Sequence, residues 1–286
     1  MRRKGLPVDG VLLLDKPYAM TSNAALQSCR RLLNAQKAGH TGTLDPLASG
    51  LLALTFGEAT KFSADLLHAD KTYVAGIKLG QKTTTGDLEG EFIQTRPVSV
   101  GREEIEAVLE RFRGDILQVP PMFSALKRDG KTLYDLAREG VSIEREPRSV
   151  RIEKLEMLSF EGELLTVEVT CSKGTYIRVL AEDIGEALGC GAHLASLRRT
   201  AVGSLRIEDS VTMSALESMQ QEQRLKELKP LDALMQTLAA VHLSENDCVR
   251  FCHGQRLALG LQASPRVRVY GPEGKMVGTA RINERG

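Results

Sequence analysis

Two stretches of period-two alternation, set among stretches of helical period, confine this chain to a mixed fold. Across Lys71–Leu79, Tyr73, Ala75, Ile77 and Leu79 share one face of a strand. In Leu164–Cys171, Leu165, Val167, Val169 and Cys171 alternate with Thr166, Glu168 and Thr170. Between them, Ile105, Val108, Leu109 and Phe112 recur at i, i+3, i+4 and i+7, so residues 102–113 form an amphipathic helix ended by Gly114. A second helix runs through Ile177, Leu180, Ile184 and Leu188 to Gly189, after a turn at Ser172-Lys173-Gly174. Thr21-Ser22 caps a third, through Leu26, Leu32 and Leu33 to Asn34. Residues 11–14 read as a buried strand, residues 150–160 as a partner of 164–171, and residues 47–56 as a short helix followed by a strand. Hairpin-linked strands mixed with helices predict an α+β fold rather than a regularly alternating α/β sheet.

At 286 residues the chain can hold one large domain and a small one, since roughly 150 residues per domain is usual. Residues 220–229 are polar and charged and precede Pro230, which suggests a linker or a domain boundary near there. Beyond it, residues 267–270 and 276–282 flank Gly271-Pro272-Glu273-Gly274, a hairpin signature, so the C-terminal end reads as a small β-rich module. No apolar run reaches the ~20 residues that cross a bilayer. Arg2, Arg3 and Lys4 could open a signal peptide, but the apolar stretch after them is short and Asp15-Lys16-Pro17 interrupts it. A cytoplasmic location is expected. Five scattered cysteines do not form a disulfide framework, and Cys248, Cys252 and His253 lack the further ligands of a structural zinc site, so no metal is expected.

A net charge of +1 excludes a globally basic protein, but the signs are segregated. Acidic residues gather at Glu103, Glu104, Glu106 and Glu110 and at Glu182, Asp183 and Glu186. Basic ones gather at Arg30-Arg31, Lys78 with Lys82, Lys127-Arg128 with Lys131, and Arg198-Arg199. Such segregation permits a basic face for RNA on a neutral chain, although any one cluster is also what an ordinary solvated surface looks like.

The densest segment is Gly39-His40-Thr41-Gly42-Thr43-Leu44-Asp45-Pro46-Leu47-Ala48-Ser49-Gly50. Its glycines suit close backbone approach, and it lacks the Gly-Lys-Ser/Thr of a phosphate loop. Taken alone, Asp45 before Pro46 is also how a helix commonly starts, and His40 is an ordinary turn residue. The segment resembles the signature of the TruB family of tRNA pseudouridine-55 synthases throughout. Other blocks resemble that family in the same order: Leu14-Asp15-Lys16-Pro17 with Thr21-Ser22, Gly57-Glu58-Ala59-Thr60-Lys61, Lys71-Thr72-Tyr73, residues 120–127, residues 171–178 and residues 194–200.

The resemblance implies a pseudouridine-synthase fold, with a mixed, mainly antiparallel sheet flanked by helices, and a small C-terminal β-barrel PUA domain. It divides the chain into a catalytic domain, 1–235, and a PUA-like RNA-binding domain, 236–286. Members of the family continue past the position of Gly286 with a short basic strand, which leaves closure of the barrel open. They usually carry Gly where Ala19 stands, so a tighter or differently bent first loop is expected. The implied activity is isomerisation of uridine-55 in the T-loop of tRNA, by a free-standing monomer without cofactor, metal or guide RNA. Asp45 is implied to be the catalytic carboxylate, attacking the base, attacking the sugar carbon or taking a ribose proton. The target base must be flipped out of its stack. Tyr73 is implied to stack on it, His40 to fill the space it leaves, and Arg178 to hold Asp45 as a bidentate guanidinium. Tyr176 is implied to line the pocket by hydrogen bonding and Leu197 by apolar packing, while Lys16 and Lys127 contact backbone or RNA.

Overall fold

The computed structural model describes residues 5–124 and 126–286; the basic start Arg2-Arg3-Lys4, and Ala125 of the 120–127 block, lie outside the described residues. One sheet takes up β1 (Gly10–Lys16), β2 (Ala38–His40), β3 (Ala48–Phe56), β4 (Lys71–Leu79), β5 (Gly114–Gln118), β6 (Arg148–Glu161), β7 (Leu164–Cys171), β8 (Ala192–Val202) and β9 (Val211–Thr212). Its order is β9-β1-β3-β8-β4-β7-β6-β5, with β2 alongside β3. Every step is antiparallel except β9 with β1 and β8 with β3. The sheet is therefore mixed and the fold α+β, as the alternation requires.

The apolar run of β3 is buried on both faces, as a central strand demands. Leu52 and Leu54 pack with Leu12 and Leu14 of β1 and with Ala25, Leu26 and Cys29 of helix α1 (Ser22–Leu32). Leu51 and Ala53 face the other way, against Leu234 and Met235. Helices α2 (Arg102–Arg111) and α3 (Ile177–Ala187) cover Ile77, Leu79, Val167 and Val169. Tyr73 and Leu197 touch both this cluster and that of α1, at the seam between them. Gly50 is required at the same seam: its φ is +102°, and a Cβ there would lie 2.3 Å from the Arg199 carbonyl oxygen on β8.

Three local expectations need correction. No helix leads directly into β3: Ala48 N–H donates to the Asp45 carbonyl at 3.0 Å, closing a turn with Pro46 at its second position, and the strand starts at once. Residues 220–229 are not a linker. They contain α4 (Gln221–Lys226), and Val11 and Lys229 exchange both backbone hydrogen bonds, at 2.9 and 2.8 Å. Their polar composition reflects an exposed helix stitched to β1. Finally, the C-terminal strands β10 (Ala240–His242), β11 (Ser264–Tyr270) and β12 (Met276–Ile282) form an open three-stranded sheet packed on α5 (Glu245–Cys252); among the described residues no barrel closes. Nor is any helix among them long and apolar enough to cross a membrane.

Candidate active site

The loop that enters β3 is tied down on both sides while its carboxylate stays accessible. Ser22 Oγ donates to the Leu44 carbonyl at 2.9 Å and accepts from Leu44 N–H at 2.8 Å. Ala19 N–H donates to the Pro46 carbonyl at 2.9 Å. The Asp45 side chain, by contrast, is 47% exposed.

Arg178, in the first turn of α3, reaches this carboxylate from across the cleft, Nη2 to Oδ2 at 3.1 Å. The expected two-pronged contact is not formed, because the rest of the guanidinium is engaged elsewhere. Nε faces Asp87 Oδ2 at 3.5 Å, Nη1 donates to the Thr85 carbonyl at 3.3 Å, and Nη2 also donates to the Phe123 carbonyl at 2.8 Å. Asp87 is itself buried, accepting from Thr85 Oγ1 at 2.5 Å and from Glu89 N–H at 3.0 Å. A guanidinium with this many partners is fixed in space.

The Asp45–Arg178 pair separates two cavities. One, of about 280 Å³, is lined by Tyr73, Tyr176, Leu197 and Arg199 as well as the pair. The other, of about 370 Å³, is lined by His40, Phe123, Tyr134 and Asp87. Tyr73 and Arg199 are direct cross-strand partners on β4 and β8, so their side chains share a face, and Leu197 lies two residues along. Burial pushes the Tyr73 phenol above its ordinary range, with the Arg199 guanidinium opposing. Arg199 is buried, donating to the Leu51 carbonyl at 2.8 Å and the Gly42 carbonyl at 3.4 Å. Burial, and then Arg199, push the His40 imidazole below its ordinary value, and its Nδ1 is buried without a hydrogen-bond partner. Both effects favour the uncharged ring.

Residues 30–177 match the TruB family pseudouridylate synthase (N terminal domain). Residues 178–240 match the tRNA pseudouridylate synthase B C-terminal domain, and 239–286 match Pseudouridine synthase II TruB, C-terminal. A tRNA pseudouridine synthase B of Dechloromonas aromatica is 57% identical over 277 residues, 97% of this chain and 92% of that protein. A protein of the same name from Burkholderia mallei is 57% identical over 291 residues, 99% of this chain and 96% of its own length. The chain belongs to the TruB family. Among solved structures, a chain of a Cbf5-Nop10-Gar1 complex superposes with a TM-score of 0.73 at 30% identity, covering 95% of this chain and 78% of that one. A chain of an H/ACA RNP bound to a substrate RNA containing 2'-deoxyuridine does so with 0.72 at 26%, covering 98% and 83%.

In this TruB-family chain the fold gathers Asp45, Tyr73, Tyr176, Arg178 and Leu197 around one cavity and sets His40 on the other side of the pair. It does not bring Lys16 or Lys127 to either. Lys16 is fully buried and donates to the carbonyls of Pro17 and Met20 at 3.0 and 2.6 Å, so it braces the loop after β1 and presents nothing to RNA. Lys127 is exposed on a short hairpin, beside a separate groove lined by Arg128, Arg145 and Arg148. Several basic clusters are also spent on the protein itself. Lys78 pairs with Glu163, Lys82 with Glu186 and Arg198 with Asp15. Sequence reasoning missed Asp87 and Arg199 as site residues. Period two along β8 could have found Arg199, which shares the Leu197 face; nothing local marked Asp87.

Proposed function

We propose that this chain isomerises uridine to pseudouridine in tRNA, at position 55 of the T-loop, with Asp45 as the essential carboxylate. The observation that carries the reading is the contact of the half-exposed Asp45 with the pinned Arg178 on the lip of a cavity lined by Tyr73, Tyr176 and Leu197. Its volume lies near the lower end, ~300 Å³, of small-molecule pockets, which suits one nucleobase. The curated relatives' name supports tRNA as the substrate. The isomerisation breaks the N1–C1′ bond, makes a C5–C1′ bond and moves the C5 proton to N1, with no net redox change. Asp45 faces a base entering the cavity, and attack on the base, attack on the sugar carbon and removal of a ribose proton all use the same accessible carboxylate.

Taking the base out of its stack costs a few kcal/mol. Stacking on Tyr73, worth about 1–3 kcal/mol, offsets that. Its raised phenol pKa suits a neutral stacking ring, and Leu197 packs beside it. The neutral His40 ring lies across the Asp45–Arg178 pair, where the vacated space in the RNA would fall. The main domain, 1–235, then carries the chemistry, and the C-terminal module, 236–286, is a PUA-like RNA-binding unit.

Purified protein with an unmodified tRNA transcript should yield pseudouridine; Asp45→Asn should bind the tRNA and yield none. Undiminished product from Asp45→Asn would remove this carboxylate from the chemistry. The fold shared with a chain of an H/ACA RNP bound to a substrate RNA favours a second reading, action within an RNP directed by a guide RNA. Turnover by the protein alone excludes it.

A further inference from the structure

Gln118 ends β5, the outermost strand of the sheet, yet it is only 2% exposed. Its side-chain amide meets both backbone groups of Tyr176: Oε1 accepts from the N–H at 3.0 Å, and Nε2 donates to the carbonyl at 3.3 Å. Two residues exchange the same pair of bonds in an antiparallel ladder; here one side chain does it. Tyr176 precedes α3 and offers no side-chain cap, and its carbonyl also accepts the first helical bond, from Leu180 at 3.1 Å. Gln118 thus fixes the first turn of α3 from outside the helix. Five residues further on, the Phe123 carbonyl accepts from Arg178. Residues 118–123, stiffened by Pro120 and Pro121, therefore grip residues 176–178 at both ends.

We propose that Gln118 is a positioning residue for the reaction: by holding the Tyr176 backbone it sets where α3 begins, and so aims Arg178 at Asp45. The inference rests on Asp45 being the reacting carboxylate. Arg178 touches Asp45 through one nitrogen, so a shift in the helix start has no second prong to absorb it. Displacements near 1 Å can cost about 100-fold in rate.

Two variants test it on unmodified tRNA. Gln118→Met keeps the length and removes both bonds; Gln118→Glu keeps the acceptor for Tyr176 N–H and sets an oxygen against its carbonyl. For Gln118→Met, kcat should fall about 10- to 100-fold, while KM stays within about threefold. Gln118→Glu should lose at least as much as Gln118→Met, because a buried carboxylate would then face the Tyr176 carbonyl. In an Arg178→Lys background, Gln118→Met should add little further loss, because the guanidinium that the helix start aims at Asp45 is already gone. Unchanged kcat, or losses that multiply fully with Arg178→Lys, would overturn the proposal. If Gln118→Met does not fold, the kcat of Gln118→Glu decides alone. An inactive parent protein would instead sink the isomerase reading, which keeps the two failures apart.

Discussion

Replacing Lys16 with methionine asks whether a buried ammonium is held at a cost that pH can reveal. Burial, and then the Arg199 guanidinium, push this lysine from 10.5 down to about 8, with Asp45 opposing. The folded protein thus releases the proton at lower pH than the unfolded chain. Between pH 8 and 10.5 the unfolded chain binds more protons, so stability rises with pH. From pH 7.5 to 9 the gain from this one group is about 1 kcal/mol. Lys71, also pushed down to about 8 by burial and Arg199, adds a similar amount. The thiols of Cys29 and Cys171, pushed up by burial to about 12 and about 11, act with the opposite sign as unfolded thiols ionise near 9, which sets the upper limit of the window. Urea unfolding at pH 7.5 and 9 should therefore show the parent protein gaining about 1–2 kcal/mol, and Lys16→Met gaining about 1 kcal/mol less. Equal gains in the two proteins would refute the reasoning, because the lysine would then titrate alike folded and unfolded.

Ala19 adopts φ +61°, a left-handed conformation that costs a non-glycine residue ~1–2 kcal/mol, and its side chain is exposed. Ala19→Gly should accordingly stabilise the protein by about 0.5–1 kcal/mol after glycine's own entropic cost, read as a rise of about 1–3 °C in Tm; a fall in Tm would contradict the strain. Asp87→Asn keeps acceptors for Thr85 and Glu89 but removes the buried charge facing Arg178. Losing one partner of a buried pair costs ~3–5 kcal/mol, and retaining the amide should limit the effect on turnover to about 2 kcal/mol, roughly 30-fold in kcat, with tRNA affinity little changed. Full activity would show that Arg178 needs only its carbonyl contacts.

Much of this architecture is legible in the residue pattern, because a half-buried strand and an amphipathic helix write their periods directly. The extent of Lys71–Leu79, of Leu164–Cys171 and of the helix beginning near Ile177 could be read that way. The turn at Asp45 could not: Asp-Pro suits both a helix start and a turn, and only the demand of β3 for two-sided burial decides between them. The linker reading of residues 220–229 failed for a related reason, since polarity marks exposure and says nothing of backbone pairing with Val11. For Lys16 the sequence left backbone and RNA open, because a lysine is normally a surface residue; the carbonyls of Pro17 and Met20 that bury it converge only once the loop after β1 is folded. The resemblance named Asp45 and Arg178 as partners, but no pattern in the sequence could reveal Asp87 behind them.

The location of the cleft follows from the one central departure in the strand order. In a purely antiparallel sheet, the residue entering one strand lies beside the end of its neighbour. Here β3 and β8 run parallel in an offset register, so the entry of β3 at Ala48 instead lies beside Leu197, in the middle of β8. The next step, β8 to β4, is antiparallel and sets Tyr73 opposite Arg199. A loop carboxylate, an apolar side chain and an aromatic ring are thereby drawn from three distant parts of the chain to one spot on the sheet, before any side chain of α3 is counted. Helix α3 adds the guanidinium from the side, and Gly50, where no Cβ fits, lets the two parallel strands approach closely enough for the geometry to close. A Cβ at residue 50 would therefore disturb the cleft through the spacing of β3 and β8 and the position of Arg199, without replacing any group that lines it.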